Sequence, residues 1–135
     1  MDLKYEKLLI WQKAKEIYLD IQKKIKTEKN DFIDKINESA LKTMDCIAEW
    51  YEIRYDEQKI KKYLEALWYN TRTINMLTLA KDLWIINTDI AEKNKMTDYG
   101  LINSIIWQCI DLNKIIYQIV SKIKRRNELT TYNEE

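Results

Sequence analysis

One glycine, Gly100, and no proline stand in 135 residues, and this constrains the fold more than any motif in the chain. Sheets and long loops turn on glycine and proline, whereas a continuous helix avoids both in its interior. A chain that does without them must be built from long helices joined by short polar breaks. Its length suits one domain that buries about two thirds of the surface its unfolded form exposes.

The spacing of apolar residues locates the helices. Leu8, Trp11, Ala14, Tyr18, Ile21 and Ile25 recur in steps of three and four and predict a first helix over about 4–26. The polar stretch 27–30 ends it, and Asp31, able to accept hydrogen bonds from free helical N–H groups, opens a second. That second helix carries the stripe Ile33, Ile36, Ala40, Met44, Ile47 and Tyr51 and is expected to end near Arg54. A third reads from Ile60, Leu64, Leu67, Thr71, Ile74, Leu77 and Trp84. The break around 55–57 is so short that the second and third helices must be antiparallel neighbours.

Residues 87–97 are polar and read equally as a loop or a short capped helix. The fourth helix has two apolar rows, Ile102, Ile105, Cys109, Leu112, Ile116, Ile119, Ile123 and Ile106, Ile110, Tyr117, Val120. Two rows exceed what one seam of a bundle needs, which points to association with further copies. The expected architecture is all-α, an antiparallel up-down-up-down four-helix bundle over 1–126, with 127–135 a disordered tail.

The chain has no histidine, which removes the usual general base, the commonest transition-metal ligand and every Ser-His or Cys-His nucleophile. Glu49, Glu65, Asp82 and Asp111 flank apolar positions and are candidate metal ligands, but acids at a helix seam usually meet solvent or lysine. Cys46 and Cys109 lack CxxC spacing, and Cys109 sits in a row of isoleucine and leucine, so it reads as a small buried hydrophobe. A glycine-rich phosphate loop is impossible with one glycine. A non-catalytic protein with no metal and no cofactor is expected. The N-terminal run lacks the apolar core of a signal peptide, and no uncharged apolar run nears the ~20 residues that span a bilayer. A cytoplasmic, reduced protein with no membrane contact is therefore expected.

Lysine and arginine total 23 against 22 carboxylates, a net charge of +1, so any polyanion site must be local. Basic residues gather at Lys23, Lys24, Lys26 and Lys29, at Lys59, Lys61 and Lys62, and at Lys122, Lys124, Arg125 and Arg126. In an up-down-up-down bundle the last two groups share one end, together with Lys4 and Lys7. These cations either complement the negative ends of helices one and four or form a phosphate-binding patch. The segment 31–57 is acidic, with three cations against eight carboxylates. Trp50-Tyr51 and Trp68-Tyr69 place aromatics on two adjacent faces of their helices, so one of each pair needs cover from a subunit interface or a stacked base.

The run Tyr5-Glu6-Lys7-Leu8-Leu9-Ile10-Trp11-Gln12-Lys13-Ala14 resembles the opening of the 23S rRNA intervening-sequence proteins, a four-helix-bundle family. Ile47-Ala48-Glu49 resembles that family's Ile-Ala-Glu motif, with Trp50 where glycine normally follows. Leu64-Glu65-Ala66 and Leu77-Thr78-Leu79-Ala80-Lys81-Asp82-Leu83 look more like the related accessory variability determinant of diversity-generating retroelements. That resemblance implies the bundle fold, a homopentameric ring, and a reverse transcriptase and its RNA as partners. Arg54, just after the Ile-Ala-Glu motif, matches a basic position in the family. The candidate nucleic-acid residues are thus Arg54, Lys59, Lys61, Lys62, Lys122, Lys124, Arg125 and Arg126, facing RNA or DNA. Trp50, Tyr51, Trp68 and Tyr69 are the candidate subunit or partner surface. The alternative is an intervening-sequence type bundle that acts as a structural or protein-interaction module.

Overall fold

The computed structural model describes residues 8–25, 31–82 and 98–134, and every statement of absence below refers to these. They form four helices and no strand: α1 (Leu9–Lys24), α2 (Asp31–Tyr51), α3 (Asp56–Asp82) and α4 (Asp98–Glu134). The main contacts run α1 to α2, α2 to α3, α3 to α4 and α4 back to α1, which closes a four-helix bundle. Side-chain pairs fix the direction of the longest pair of helices. Asp56 meets Arg126, Thr71 meets Asn113 and Lys81 meets Asn103, so α3 and α4 are antiparallel. Glu49 with Lys62 and Ser39 with Tyr69 do the same for α2 and α3.

With no glycine to take a left-handed cap, α2 ends by tightening. The Glu52 N–H donates to the Glu49 carbonyl and Ile53 to Trp50, so the helix closes at Tyr51 rather than near Arg54. Four residues intervene before α3 starts at Asp56, with the Tyr55 carbonyl accepting from Lys59 at 2.9 Å. Asp56 and Glu57 in its first turn favour the positive helix end. Helix α4 continues to Glu134, past the expected end at Arg126. Nothing after Arg126 is a helix breaker, and extending a formed helix costs far less than starting one. The outer parts of the first predicted helix, the break 27–30, Trp84 and the ambiguous segment 87–97 lie outside the described residues.

The core is aliphatic and nearly seamless, with Ile21, Ile36, Ile47, Leu77, Ile105, Leu112 and Ile116 at most 1% exposed. In α1 the buried line is Ile10, Ala14, Ile17, Ile21 and Ile25, while Leu8, Trp11 and Tyr18 pack beside it. In α2 the predicted stripe is joined by Ser39, Thr43 and Cys46, and Met44 and Tyr51 are half-buried. The largest difference is in α3. Its buried line is Tyr63, Ala66, Asn70, Thr73, Met76, Leu77 and Ala80, whereas Leu64 and Thr71 are exposed. Helix α4 buries Ile102, Ile105, Cys109, Leu112, Ile116, Val120 and Ile123 and leaves Tyr117 exposed.

The polar members of this core are held by hydrogen bonds. Ser39 Oγ donates to the Tyr69 carbonyl at 2.8 Å, and Thr43 and Thr73 donate to carbonyls one turn back. The Tyr63 hydroxyl and the Trp50 indole nitrogen are buried and have no hydrogen-bond partner. No described helix is long and apolar enough to cross a membrane.

Candidate functional site

The bundle end built from the α2–α3 turn, the start of α3 and the later part of α4 gathers most of the candidate cations. Its geometry follows from the Arg126 guanidinium, which donates to both oxygens of Asp56 at 2.8 and 2.9 Å. Both bonds come from the single nitrogen Nη2, so the pair matches charge without the two-nitrogen fork that would fix orientation. Lys62 is similarly tied, 2.7 Å from Glu49 and 3.1 Å from Glu65. Hydrogen bonds from Lys62 to Glu49 and Glu65 raise its pKa well above the ordinary lysine value, so its charge is permanent but already matched. Lys59 lies 5.4 Å over the Trp50 ring.

Arg54, Lys61, Lys122, Lys124 and Arg125 are exposed and belong to no ion pair among the described residues. The α3–α4 register puts Lys61 level with Lys122–Lys124. Because α4 runs on to Glu134, Lys122, Lys124, Arg125 and Arg126 stand more than a turn before its end, where the helix dipole has little effect. Helix-end complementation therefore does not account for these four. Lys4, Lys7, Lys26 and Lys29 lie outside the described residues.

The aromatic candidates divide. Trp50 packs inward, with its ring 4.6 Å from Tyr63 and 6.3 Å from the half-buried Tyr51. Trp68 is 57% exposed and meets the half-buried Tyr69 edge-on at 4.9 Å. Cations cover both rings of the second pair: Arg72 lies 5.6 Å over Trp68 and Lys42 5.4 Å over Tyr69. Further exposed apolar side chains, Leu64, Trp107 and Tyr117, stand on the same two adjacent helices, α3 and α4. Trp107 escapes a search for periodic apolar rows because it belongs to neither row of α4.

Cys46 and Cys109 are buried, and burial pushes both thiols up to about 12, with the Glu65 charge adding at Cys46. Glu49 and Glu65 converge, but on Lys62. No group of three or more metal-ligating side chains is present among the described residues. A depression of ≈ 240 Å³ between α1 and α4 is lined by Lys13, Glu16, Ile17, Gln108 and Asp111. It carries one cation and two carboxylates, and Gln108 is engaged with Asp20 at 3.0 Å.

Comparisons with family models, with characterised proteins and with solved structures return no match for this chain.

Proposed function

We propose that this chain is a non-catalytic, homo-oligomeric accessory protein that binds structured RNA, with a reverse transcriptase as the protein partner and a ring of five as the assembly that its sequence resemblance implies. The observation that carries the reading is the outer surface of α3 and α4. Trp107 is 63% exposed, Tyr117 58% and Leu64 42%, with Trp68 and Leu79 also exposed on the same two helices. Apolar side chains of this size on two adjacent helices favour burial against another copy. The unpaired Arg54, Lys61, Lys122, Lys124 and Arg125 at one end would be repeated around such an assembly, and repetition turns a modest patch into a polyanion site.

A second reading, a structural or protein-interaction module of the intervening-sequence type, is favoured by the neutralisation of Lys62 and Arg126 by their carboxylates. One experiment separates the two. The mass of the purified protein is measured in solution, and labelled structured RNA is titrated into it from about 50 to about 200 mM salt. An oligomer whose log affinity falls linearly with log salt supports the accessory reading. An oligomer that ignores RNA at the lowest salt supports the module. A monomer removes the assembly on which both depend.

A further inference from the structure

A different cleft, about 24 Å along α3 from Asp56 at 1.5 Å per residue, collects positive charge that the sequence hides. It is a shallow groove between α2 and α3, open to solvent and lined by Lys35, Glu38, Ser39, Lys42, Tyr69 and Arg72. Residues 35, 38 and 42 share one face of α2, and 69 and 72 are neighbours on α3. Three cations thus surround a single carboxylate.

Glu38 reports that all three act at one place. It sits 2.9 Å from Lys42. Its carboxyl is held below the usual range first by the hydrogen bond and charge of Lys42, and then by the charges of Arg72 and Lys35. At the other end of the bundle, by contrast, Lys62 faces two carboxylates and has no charge to spare. Here the excess is two positive charges on an open, exposed site.

The cleft also has an aromatic rim. Lys42 covers Tyr69, Arg72 covers Trp68, and the Trp68 ring is more than half exposed beside them. The groove is far too small to enclose a whole small molecule. A ligand would meet its cations by one anionic group at the surface, with the remainder of its carrier outside, against the rim. Cations on a backbone phosphate with an aromatic face for the adjoining base is the chemistry of single-stranded nucleic-acid binding.

We infer that the α2–α3 cleft is a phosphate subsite for single-stranded RNA, with Lys35, Lys42 and Arg72 holding a backbone phosphate, a base stacked on Trp68, and Glu38 competing with the phosphate for the three cations. This rests on the nucleic-acid reading above and gives it a location separate from the Lys61 and Lys124 end.

The test uses the full chain and fluorescein-labelled oligouridine, followed by anisotropy from about 50 to about 200 mM salt. The paired change Lys35→Glu with Arg72→Glu is expected to weaken binding about tenfold or more and to flatten the salt slope. Glu38→Gln is expected to tighten it, a gain that damage to the fold does not produce. Trp68→Ala should weaken binding by about tenfold. All four side chains are exposed, and unchanged helical melting curves check that the variants fold. Should the parent bind oligouridine while the paired change has no effect, and Lys61→Glu with Lys124→Glu removes binding instead, the cleft is wrong and RNA binding stands. Glu38→Gln weakening the complex likewise overturns the cleft. A parent that ignores oligouridine at the lowest salt overturns the cleft, and one that also ignores labelled structured RNA overturns the RNA-binding function with it.

Discussion

The side-chain amide of Asn70 on α3 donates to the main-chain carbonyl of Cys109 on α4 at 2.7 Å, and the same nitrogen reaches the Asn113 side-chain oxygen at 2.7 Å. Asn70 is 2% exposed and Cys109 fully buried, so a polar clamp sits inside an otherwise aliphatic seam. It fixes which residue of α3 faces which residue of α4. Asn70→Ala removes both bonds and leaves a small void, and should lower stability by about 2 to 3 kcal/mol. The measurement is the urea midpoint, read at an unchanged slope. Asn70→Asp turns a donor into a buried anion facing two oxygens. It should cost more at neutral pH than at about pH 4, where the carboxyl is protonated and can donate.

This clamp also explains where the sequence reading succeeds and where it slips. Helix number, the start of α2 at Asp31 and the antiparallel order follow from apolar spacing and from the scarcity of glycine and proline. The face of α3 follows only in part. Of the large apolar residues that periodicity picks, Leu77 is fully buried and Leu67 and Ile74 pack against the core, but Leu64 is exposed and the rest of the buried line is Tyr63, Ala66, Asn70, Thr73, Met76 and Ala80. Small and hydrogen-bonded residues fit where α3 is squeezed between α2 and α4, and hydropathy counts Asn70 and Thr73 as surface because their partners belong to other turns and other helices. Charge is misleading in the same way. The net acidity of 31–57 conceals Lys35 and Lys42 on one face, and Arg72 joins them only when α3 packs alongside. Conversely, Lys62 and Arg126 read as ligand-binding cations until Glu49, Glu65 and Asp56 close on them.

Tyr63 carries the opposite lesson to Asn70. Its ring is completely buried against Trp50, yet its hydroxyl has no partner. A buried, unpaired hydroxyl gives up its water without replacement. Tyr63→Phe keeps the ring and removes the hydroxyl, so it should stabilise the bundle by up to about 1 kcal/mol. A rise in the urea midpoint checks this, and a fall of similar size would show that the hydroxyl is paired in solution.

Alkaline pH should unfold this protein through its thiols. Cys46 and Cys109 ionise near 9 when unfolded, but burial holds them protonated to about 12 in the native state. Burial also raises the Tyr63 phenol. In each case the native group keeps a proton that the unfolded chain loses, so the thiol contribution is intact below about pH 9 and is lost as pH rises towards 12, and the phenol contribution is lost only above about pH 10. Each thiol adds a slope approaching about 1.4 kcal/mol per pH unit in that window. Urea unfolding at several pH values checks the trend, and Cys109→Ala should remove one thiol's share of the slope. In native protein at about pH 8 neither cysteine should react with a disulfide reagent, and both should react in denaturant.

The proposed assembly face is open to direct attack because its residues contribute little to the core. Trp107 and Tyr117 point outward on α4, 63% and 58% exposed, so Trp107→Glu with Tyr117→Glu should leave the helical signal and melting curve of the isolated bundle almost unchanged. At an interface between copies the same change buries two charges without partners, at a cost of several kcal/mol per contact. The expected outcome in light scattering is a drop from a multiple of the 16.4 kDa chain to the single chain. A matching change at Leu64 on α3 should act in the same direction if one surface spans both helices. An unchanged oligomer would move assembly to another face. Loss of mass with loss of RNA affinity, in a variant whose α2–α3 cleft is untouched, would show that RNA is held by the ring and not by each bundle alone.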